Sequence, residues 1–138
     1  MALTITAERS KQLNQWLSAL TAKYQFDFDT LEAASSDASF RSYYRIYSTA
    51  QQTTLIIMDA PPPHENCAVF VAIDQLLEQQ GLTVPKILEQ EQQAGFLLLS
   101  DLGQTTYYQA VQAGLDDATL QGIYREALDA LVQMQQTP

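Results

Sequence analysis

The run of residues 40–47 constrains the fold more than any other part of the chain. Phe40, Ser42, Tyr44 and Ile46 alternate there with Arg41, Tyr43, Arg45 and Tyr47, and this aromatic-rich run has the two-residue period of a β-strand. The small polar residues 35–39 that precede the run predict a tight turn, and residues 31–34 predict a short strand before the turn. These segments together predict a β-hairpin with residues 36–39 at its tip.

Three further apolar runs predict the rest of a sheet. Strands are expected over residues 53–59, 84–90 and 95–99, each bounded by turn residues. Three consecutive prolines, at 61–63, must leave the sheet because proline has no amide hydrogen for a strand ladder.

The remaining segments have helical periodicity. Helices are predicted over residues 6–24, 66–80 and 105–113, and from Asp116 or Asp117 to the end of the chain. Thr6 is the predicted N-cap of the first helix, and Gly81 is predicted to end the second. Residues 25–30 are interpreted as a linker. The order of elements predicts an α+β fold with five strands and one helix inserted after the third.

The composition excludes several classes of partner. The 138 residues include 16 acidic and 7 basic side chains, which gives a net charge of −9. Nucleic acids and anionic membrane surfaces are recognised by clustered Lys and Arg, so neither is an expected partner. The single cysteine, Cys67, excludes an internal disulfide. The first residues lack the features of a signal peptide, so we expect a cytoplasmic protein.

Four stretches carry a resemblance to a known family. They are Ser36–Arg45 (SDASFRSYYR), Ile57–Pro62 (IMDAPP), Gly81–Leu88 (GLTVPKIL) and Gly95–Gly103 (GFLLLSDLG). In these stretches the chain resembles the aminoglycoside phosphotransferase superfamily, from about Leu31 to its end. It is most similar to the branch that phosphorylates the anomeric hydroxyl of N-acetylmuramate and N-acetylglucosamine.

The resemblance implies a fold and a domain organisation. We expect the small lobe of a protein-kinase-like fold, with a five-stranded antiparallel sheet, over residues 1–103. This lobe comprises the first helix, residues 6–24, and a sheet lobe over residues 30–103. Residues 104–138 would be the first helices of a second lobe that the chain does not complete.

The same resemblance implies a set of nucleotide-binding residues. The predicted phosphate-binding hairpin tip consists of Ser36, Asp37, Ala38, Ser39, Phe40 and Arg41. The predicted hinge binds adenine through the backbone of Ser100 and Leu102. The tip contains no glycine, unlike the glycine-rich loop of protein kinases. An ordinary hairpin turn and an edge strand ending at Gly103 are the alternative interpretations.

The chain departs from the kinase pattern at two positions. Met58 stands where the third strand usually carries a lysine that pairs with the phosphates, and Phe70 where the helix carries its glutamate partner. Arg41 could replace the lysine, or metal ions and the second lobe could hold the phosphates. Glu65 and Asp74 could offer carboxylates, but they are interpreted as residues of a solvated helix face. His64 is interpreted as a loop residue without a catalytic role.

The family's catalytic residues have no counterpart here. Its His-x-Asp loop, following Asn and metal-binding Asp are expected beyond residue 103, where this chain has no His or Asn. We therefore expect ATP as cofactor, with Mg²⁺ ligands outside the chain, an amino sugar as substrate and the rest of the second lobe as partner. The chain alone should be inactive. A stand-alone nucleotide- or partner-binding pseudokinase module, and a kinase of an aminoglycoside or amino alcohol, are the alternatives.

Overall fold

The computed structural model describes residues 6–36 and 39–138. Within them lie four helices and five strands. In chain order these are α1 (Ala7–Tyr24), β1 (Phe26–Ser36), β2 (Ser42–Ser48), β3 (Thr53–Asp59), α2 (Cys67–Gln79), β4 (Ile87–Glu91), β5 (Phe96–Ser100), α3 (Tyr107–Ala113) and α4 (Asp117–Gln135). The strands form one antiparallel sheet in the order β1-β2-β3-β5-β4. The predicted α+β class, five-stranded sheet and inserted helix are confirmed.

Capping residues set the helix boundaries largely as predicted. The Thr6 hydroxyl accepts a hydrogen bond from the Arg9 amide at 3.2 Å, so Thr6 is the N-cap of α1. Asp116, rather than Asp117, caps α4. Helix α3 begins two residues later than predicted, because Thr106 and Gln109 form a capping box at its start.

The largest correction concerns β1, which begins at Phe26 and not at Leu31. Residues 26–30 were predicted as part of a linker, but Phe26 and Phe28 alternate with aspartates at the period of a strand. The Phe26 ring is buried and stacks on Tyr24, with ring centroids 5.5 Å apart. Burial of this aromatic side chain therefore favours an extended backbone directly after α1.

Two other strands start later than predicted. Strand β2 begins at Ser42 and not at Phe40, because the Phe40 amide donates to the Glu65 side chain. Strand β4 begins at Ile87 and not at Val84, since Pro85 lies within the predicted segment and has no amide hydrogen to donate.

The two faces of the sheet pack against different helices. The α1-side cluster consists of Leu13, Leu17, Tyr24, Phe26, Ile46, Leu55, Ile57, Phe96 and Leu98. The α2-side cluster consists of Met58, Ala60, Cys67, Val71, Leu97 and Leu99. Consecutive residues of β3 and β5 alternate between the clusters, as the two-residue period of a strand requires. The central strands are therefore buried on both faces.

The chain divides into two compact units. The sheet unit contains residues up to Val71 together with Pro85–Asp101, and the helical unit contains Ala72–Val84 and Leu102–Pro138. Within the helical unit, α4 exposes an apolar stripe that includes Tyr124, Leu128, Leu131 and Val132. The predicted lobe boundary at residue 103 stays a prediction.

Gly95 occupies a backbone position that other residues would strain. Its φ is +84°, its carbonyl accepts from the Ala60 amide at 2.8 Å, and an added Cβ would clash with the Ala60 carbonyl. We expect Gly95→Ala to lower the free energy of unfolding by more than about 1 kcal/mol. Urea unfolding measures this, with Gly122→Ala as the control, since that helical site has open space around it. An equal effect of the two substitutions would contradict the prediction.

Candidate functional site

The tip of the hairpin between β1 and β2 is the first part of the candidate site. Ser36 is the last residue of β1 and pairs with Ser42, while Asp37 and Ala38 lie outside the described residues. Ser39 is exposed, and its hydroxyl accepts a hydrogen bond from the Arg41 amide at 3.1 Å. This bond lies directly before β2.

The Glu65 carboxylate binds the two residues of the hairpin tip that precede β2. One carboxylate oxygen accepts from the Phe40 amide at 3.2 Å, and the other accepts from Arg41 Nε at 3.1 Å. The Glu65 side chain is 11% exposed and precedes α2. Its predicted place on a solvated helix face is therefore wrong. No motif or spacing in the sequence predicted that its carboxylate would bind the hairpin.

His64 contacts the same segment. It lies in the loop before α2, as predicted, and its ring stacks on Phe40 with centroids 4.3 Å apart and an interplanar angle of 21°. Two consecutive loop residues, His64 and Glu65, thus hold two consecutive hairpin residues, Phe40 and Arg41.

Met58 and Phe70, which replace the expected ion pair, lie in the α2-side cluster. Met58 is fully buried, and Phe70 packs against the cluster from α2. The Arg41 guanidinium lies over the Phe70 ring, with Cζ 5.4 Å from the ring centroid. Such a contact between a cation and an aromatic face is attractive. The structure therefore brings a positive charge beside the two apolar substitutions.

Cys67 lies in the same cluster. It is buried, as predicted for a core residue, and burial raises the pKa of its thiol. A thiol kept protonated in an apolar environment is a packing residue and a poor nucleophile.

Asp59 ends β3 inside an ion pair. Its carboxylate accepts from the Arg9 guanidinium, which also donates to the Ala94 carbonyl and lies 4.4 Å from the Phe96 ring centroid. The Asp59 side chain is 6% exposed and that of Arg9 is 17% exposed. This pair joins α1 to the end of the strand beside the candidate site.

The predicted hinge begins at the end of β5. The Ser100 amide donates to the Lys86 carbonyl at 2.9 Å, and its hydroxyl accepts from the Lys86 amide at 2.8 Å. These bonds fix Ser100 to the segment before β4. Leu102 belongs to the helical unit, and its side chain is 62% exposed.

Asp101, between those two residues, binds side chains of β2 and β3. Its carboxylate accepts from Arg45 Nε at 2.6 Å, from a terminal nitrogen of Arg45 at 3.2 Å, and from the Thr54 hydroxyl at 2.7 Å. The hydrogen bond to Asp101 raises the pKa of Arg45 above its ordinary value. The bidentate pair holds the last residue of the sheet unit.

Asp74 on α2 also departs from its predicted place on a solvated helix face. It is 7% exposed, and burial, with a smaller contribution from Glu78 one turn further on, raises the pKa of its carboxyl. Within residues 6–36 and 39–138, no group of three or more His, Cys, Asp or Glu side chains is arranged to hold a metal ion.

A surface depression lies away from the predicted site residues. A depression on α1 is lined by Ala7, Ser10, Lys11, Asn14, Gln15 and Ser18, none of which was predicted as a site residue. None of the helices in the described part of the chain is both long enough and apolar enough to cross a lipid bilayer.

Comparison with known proteins places the chain in a family. The model of the phosphotransferase enzyme family (APH) matches residues 30–138. The chain belongs to the phosphotransferase enzyme family. The resemblance predicted from about Leu31 to the end of the sequence is confirmed.

Similar members of the phosphotransferase family carry one name, N-acetylmuramate/N-acetylglucosamine kinase. The protein of Pseudomonas putida is 48% identical over 109 residues, covering 79% of this chain and 30% of the relative. That of Pseudomonas aeruginosa is 41% identical over 134 residues, covering 92% of this chain and 38% of the relative. That of Neisseria meningitidis is 30% identical over 128 residues, covering 93% of this chain and 36% of the relative. The chain spans about a third of the length of these relatives.

Among the ion pairs that sequence reasoning missed in the described part of this phosphotransferase family member, three join an arginine to a nearly buried carboxylate. The pairs are Arg9 with Asp59, Arg41 with Glu65, and Arg45 with Asp101. A usable signal was present for two of the acids, because Asp59 ends the mostly apolar strand β3 and Asp101 directly follows the mostly apolar strand β5. A carboxylate at such a position is partly buried and needs a cationic partner.

Proposed function

We propose that the chain is the ATP-binding part of a cytoplasmic kinase that transfers the γ-phosphate of ATP to the anomeric hydroxyl of N-acetylmuramate or N-acetylglucosamine in peptidoglycan recycling. Membership of the phosphotransferase family and similarity to kinases of that name support the reaction class. The observation that carries the ATP site is the position of Arg41, next to the hairpin tip and over the ring of Phe70.

The phosphates are proposed to bind at the hairpin tip, residues 36–41. Phosphoryl transfer needs donors and positive charge aimed at the phosphate oxygens, and little covalent chemistry from the protein. Arg41 supplies a planar guanidinium, which suits bidentate binding of phosphate. Ser36 and Ser39 would add hydroxyl donors. Met58 would line the site as an apolar residue, with no charge of its own.

Adenine is proposed to bind to the backbone of the hinge. The carbonyl of Ser100 would accept from the base and the amide of Leu102 would donate to it. The hydrogen bonds that tie Ser100 to Lys86 support this role, because they fix the backbone of Ser100 before any ligand binds.

The catalytic base, the Mg²⁺ ligands and the sugar-binding residues are proposed to belong to a second lobe of the same protein, outside this chain. Its base would accept the proton of the anomeric hydroxyl as that oxygen bonds to the γ-phosphorus and ADP leaves.

The reaction is tested with the protein that the source gene encodes. It is incubated with MgATP and either N-acetylmuramate or N-acetylglucosamine, and the product is followed by ³¹P NMR. We expect stoichiometric ADP and a phosphorus signal coupled to the anomeric proton. Phosphorylation of neither sugar, or only at another hydroxyl, would refute the proposed acceptor.

The phosphate site is tested with Arg41→Ala. We expect ATP affinity, measured by calorimetry, to fall about 10- to 100-fold, because hydrogen bonds to a charged group contribute about 1.5–3 kcal/mol. Lys11→Ala is the matched control, since it removes a positive charge from the exposed face of α1. Equal affinities of the Arg41→Ala and parent proteins would identify residues 36–41 as an ordinary turn.

One observation favours a second candidate, a stand-alone nucleotide- or partner-binding module without catalysis. Met58 and Phe70 remove both members of the usual kinase ion pair and pack into the core. Such a module would bind nucleotide, and the encoded protein would phosphorylate neither sugar.

A further inference from the structure

The two positions that usually form the kinase ion pair cannot hold charges in this chain. Met58 is fully buried among apolar side chains, and Phe70 packs against the same cluster. A lysine at position 58 would have to desolvate its ammonium group without an acidic partner at position 70. If ATP is bound here, its phosphates need a cation from another element.

Arg41 supplies that cation from the neighbouring strand. The register of β2 and β3 places Tyr43 opposite Met58 and Ser42 opposite Asp59, so Arg41 lies just beyond the last of these pairs. Tyr43 packs against the α2-side cluster, and the Arg41 guanidinium reaches Phe70 beside it. The cation thus lies on the residue that precedes β2, and not on β3 as in the usual kinase pattern. It is on the face of the sheet that α2 covers.

Glu65 takes the role of the missing helix glutamate in this arrangement. It precedes α2, and its side chain is buried enough for its bond to Arg41 to be only weakly screened by solvent. The bond uses Arg41 Nε, which fixes the plane of the guanidinium. The second oxygen of Glu65 holds the Phe40 amide, so the carboxylate orients the backbone as well as the side chain.

We propose that Glu65 is a positioning residue, and that the Arg41–Glu65 pair replaces the lysine–glutamate pair of other kinases as the anchor for the ATP phosphates. The inference rests on the proposed function, because it assigns the partner of the phosphate-binding cation. The stack of His64 on Phe40 supports the same geometry from the adjacent residue.

The test compares ATP with adenosine in the protein that the gene encodes. For Glu65→Gln we expect MgATP affinity, measured by calorimetry, to fall about 10-fold. Adenosine affinity should stay within about twofold of the parent value, because the proposed contact of Arg41 with ATP is to the phosphates alone. In an Arg41→Ala background, Glu65→Gln should have no further effect on MgATP affinity, since the glutamate acts through the arginine.

The outcomes separate the inference from the proposed function. Parent protein that binds neither ligand would refute the ATP site itself. Parent protein that binds MgATP, with Glu65→Gln equal to it, would refute the role of Glu65. Equal losses for MgATP and adenosine, or additive effects of the two substitutions, would show a general structural role instead. Should Glu65→Gln fail to fold, Glu65→Asp withdraws the carboxylate by one methylene, and the same selective loss of MgATP affinity is expected.

Discussion

Replacing Arg9 by Met should lower the free energy of unfolding by about 3–5 kcal/mol, because it leaves the Asp59 carboxylate buried without its cation. The guanidinium binds Asp59 and the Ala94 carbonyl and lies over the Phe96 ring, so a single substitution removes three contacts between α1 and the sheet. The aliphatic side chain of Met keeps most of the packing, so the decrease in the free energy of unfolding measures mainly the loss of the positive charge. The single tryptophan, Trp16, stacks on Phe96 and supplies a fluorescence signal for urea unfolding.

Two further variants isolate the ion pair. Lys11→Met removes a charge from the exposed face of the same helix and should change stability little. The double variant Arg9→Met, Asp59→Leu should recover much of the loss, because no buried charge is left unpaired. If the double variant is as unstable as the sum of the single variants, the pair is not the source of the effect.

The fold was predictable because local and long-range signals agree. The alternation of residues 40–47, the apolar run of β3 and the prolines after it define strands without knowledge of their partners. At two of the wrong boundaries, those of β1 and β2, a contact distant in sequence decided where the strand begins. Strand β1 begins earlier than predicted because the Phe26 ring is buried in the core. Strand β2 begins later than predicted because the Phe40 amide donates a hydrogen bond to Glu65.

The candidate site was predictable in part. Arg41, Met58 and Phe70 could be singled out from the family pattern, and the structure brings them together on one face of the sheet. The partner of Glu65 could not be predicted, since no periodicity links Glu65 to a residue 24 positions earlier. Pairings between side chains distant in sequence depend on loop geometry, which composition and spacing do not encode.

The ion pairs follow one principle in this acidic chain. Arg9, Arg41 and Arg45 each bind a carboxylate whose side chain is at most 11% exposed. A carboxylate in that environment needs a cation with several donors, and arginine supplies five in a fixed plane. With 16 acidic and 7 basic residues in total, most acids must remain solvated. Asp74 on α2 is a buried exception, and burial raises the pKa of its carboxyl instead. The three acids that pair with arginine lie at strand ends or before α2, beside the predicted site.

Replacing Asp101 by Asn should likewise destabilise the sheet unit, by about 3 kcal/mol, because the largely buried Arg45 cation would lose the carboxylate that binds it most strongly, although Glu32 would remain near it. The side chains of Arg45 and Asp101 are 12% and 6% exposed, and the carboxylate also accepts from Thr54. Thr54→Val removes only one hydrogen bond and should have a smaller effect, about 1.5 kcal/mol. The order of the two losses in urea unfolding tests whether charge or hydrogen bonding dominates.

Salt gives an independent test of the same pair. The Lys23–Glu89 pair joins a largely exposed lysine to β4. In 1 M salt the Debye length is about 3 Å, so the effect of Lys23→Met on the free energy of unfolding should disappear. The loss caused by Asp101→Asn should persist at that salt concentration, because solvent ions do not reach between its partners. If salt abolished both effects, Arg45 and Asp101 would be a solvated surface pair, and the end of β5 would need another anchor for the hinge that follows it.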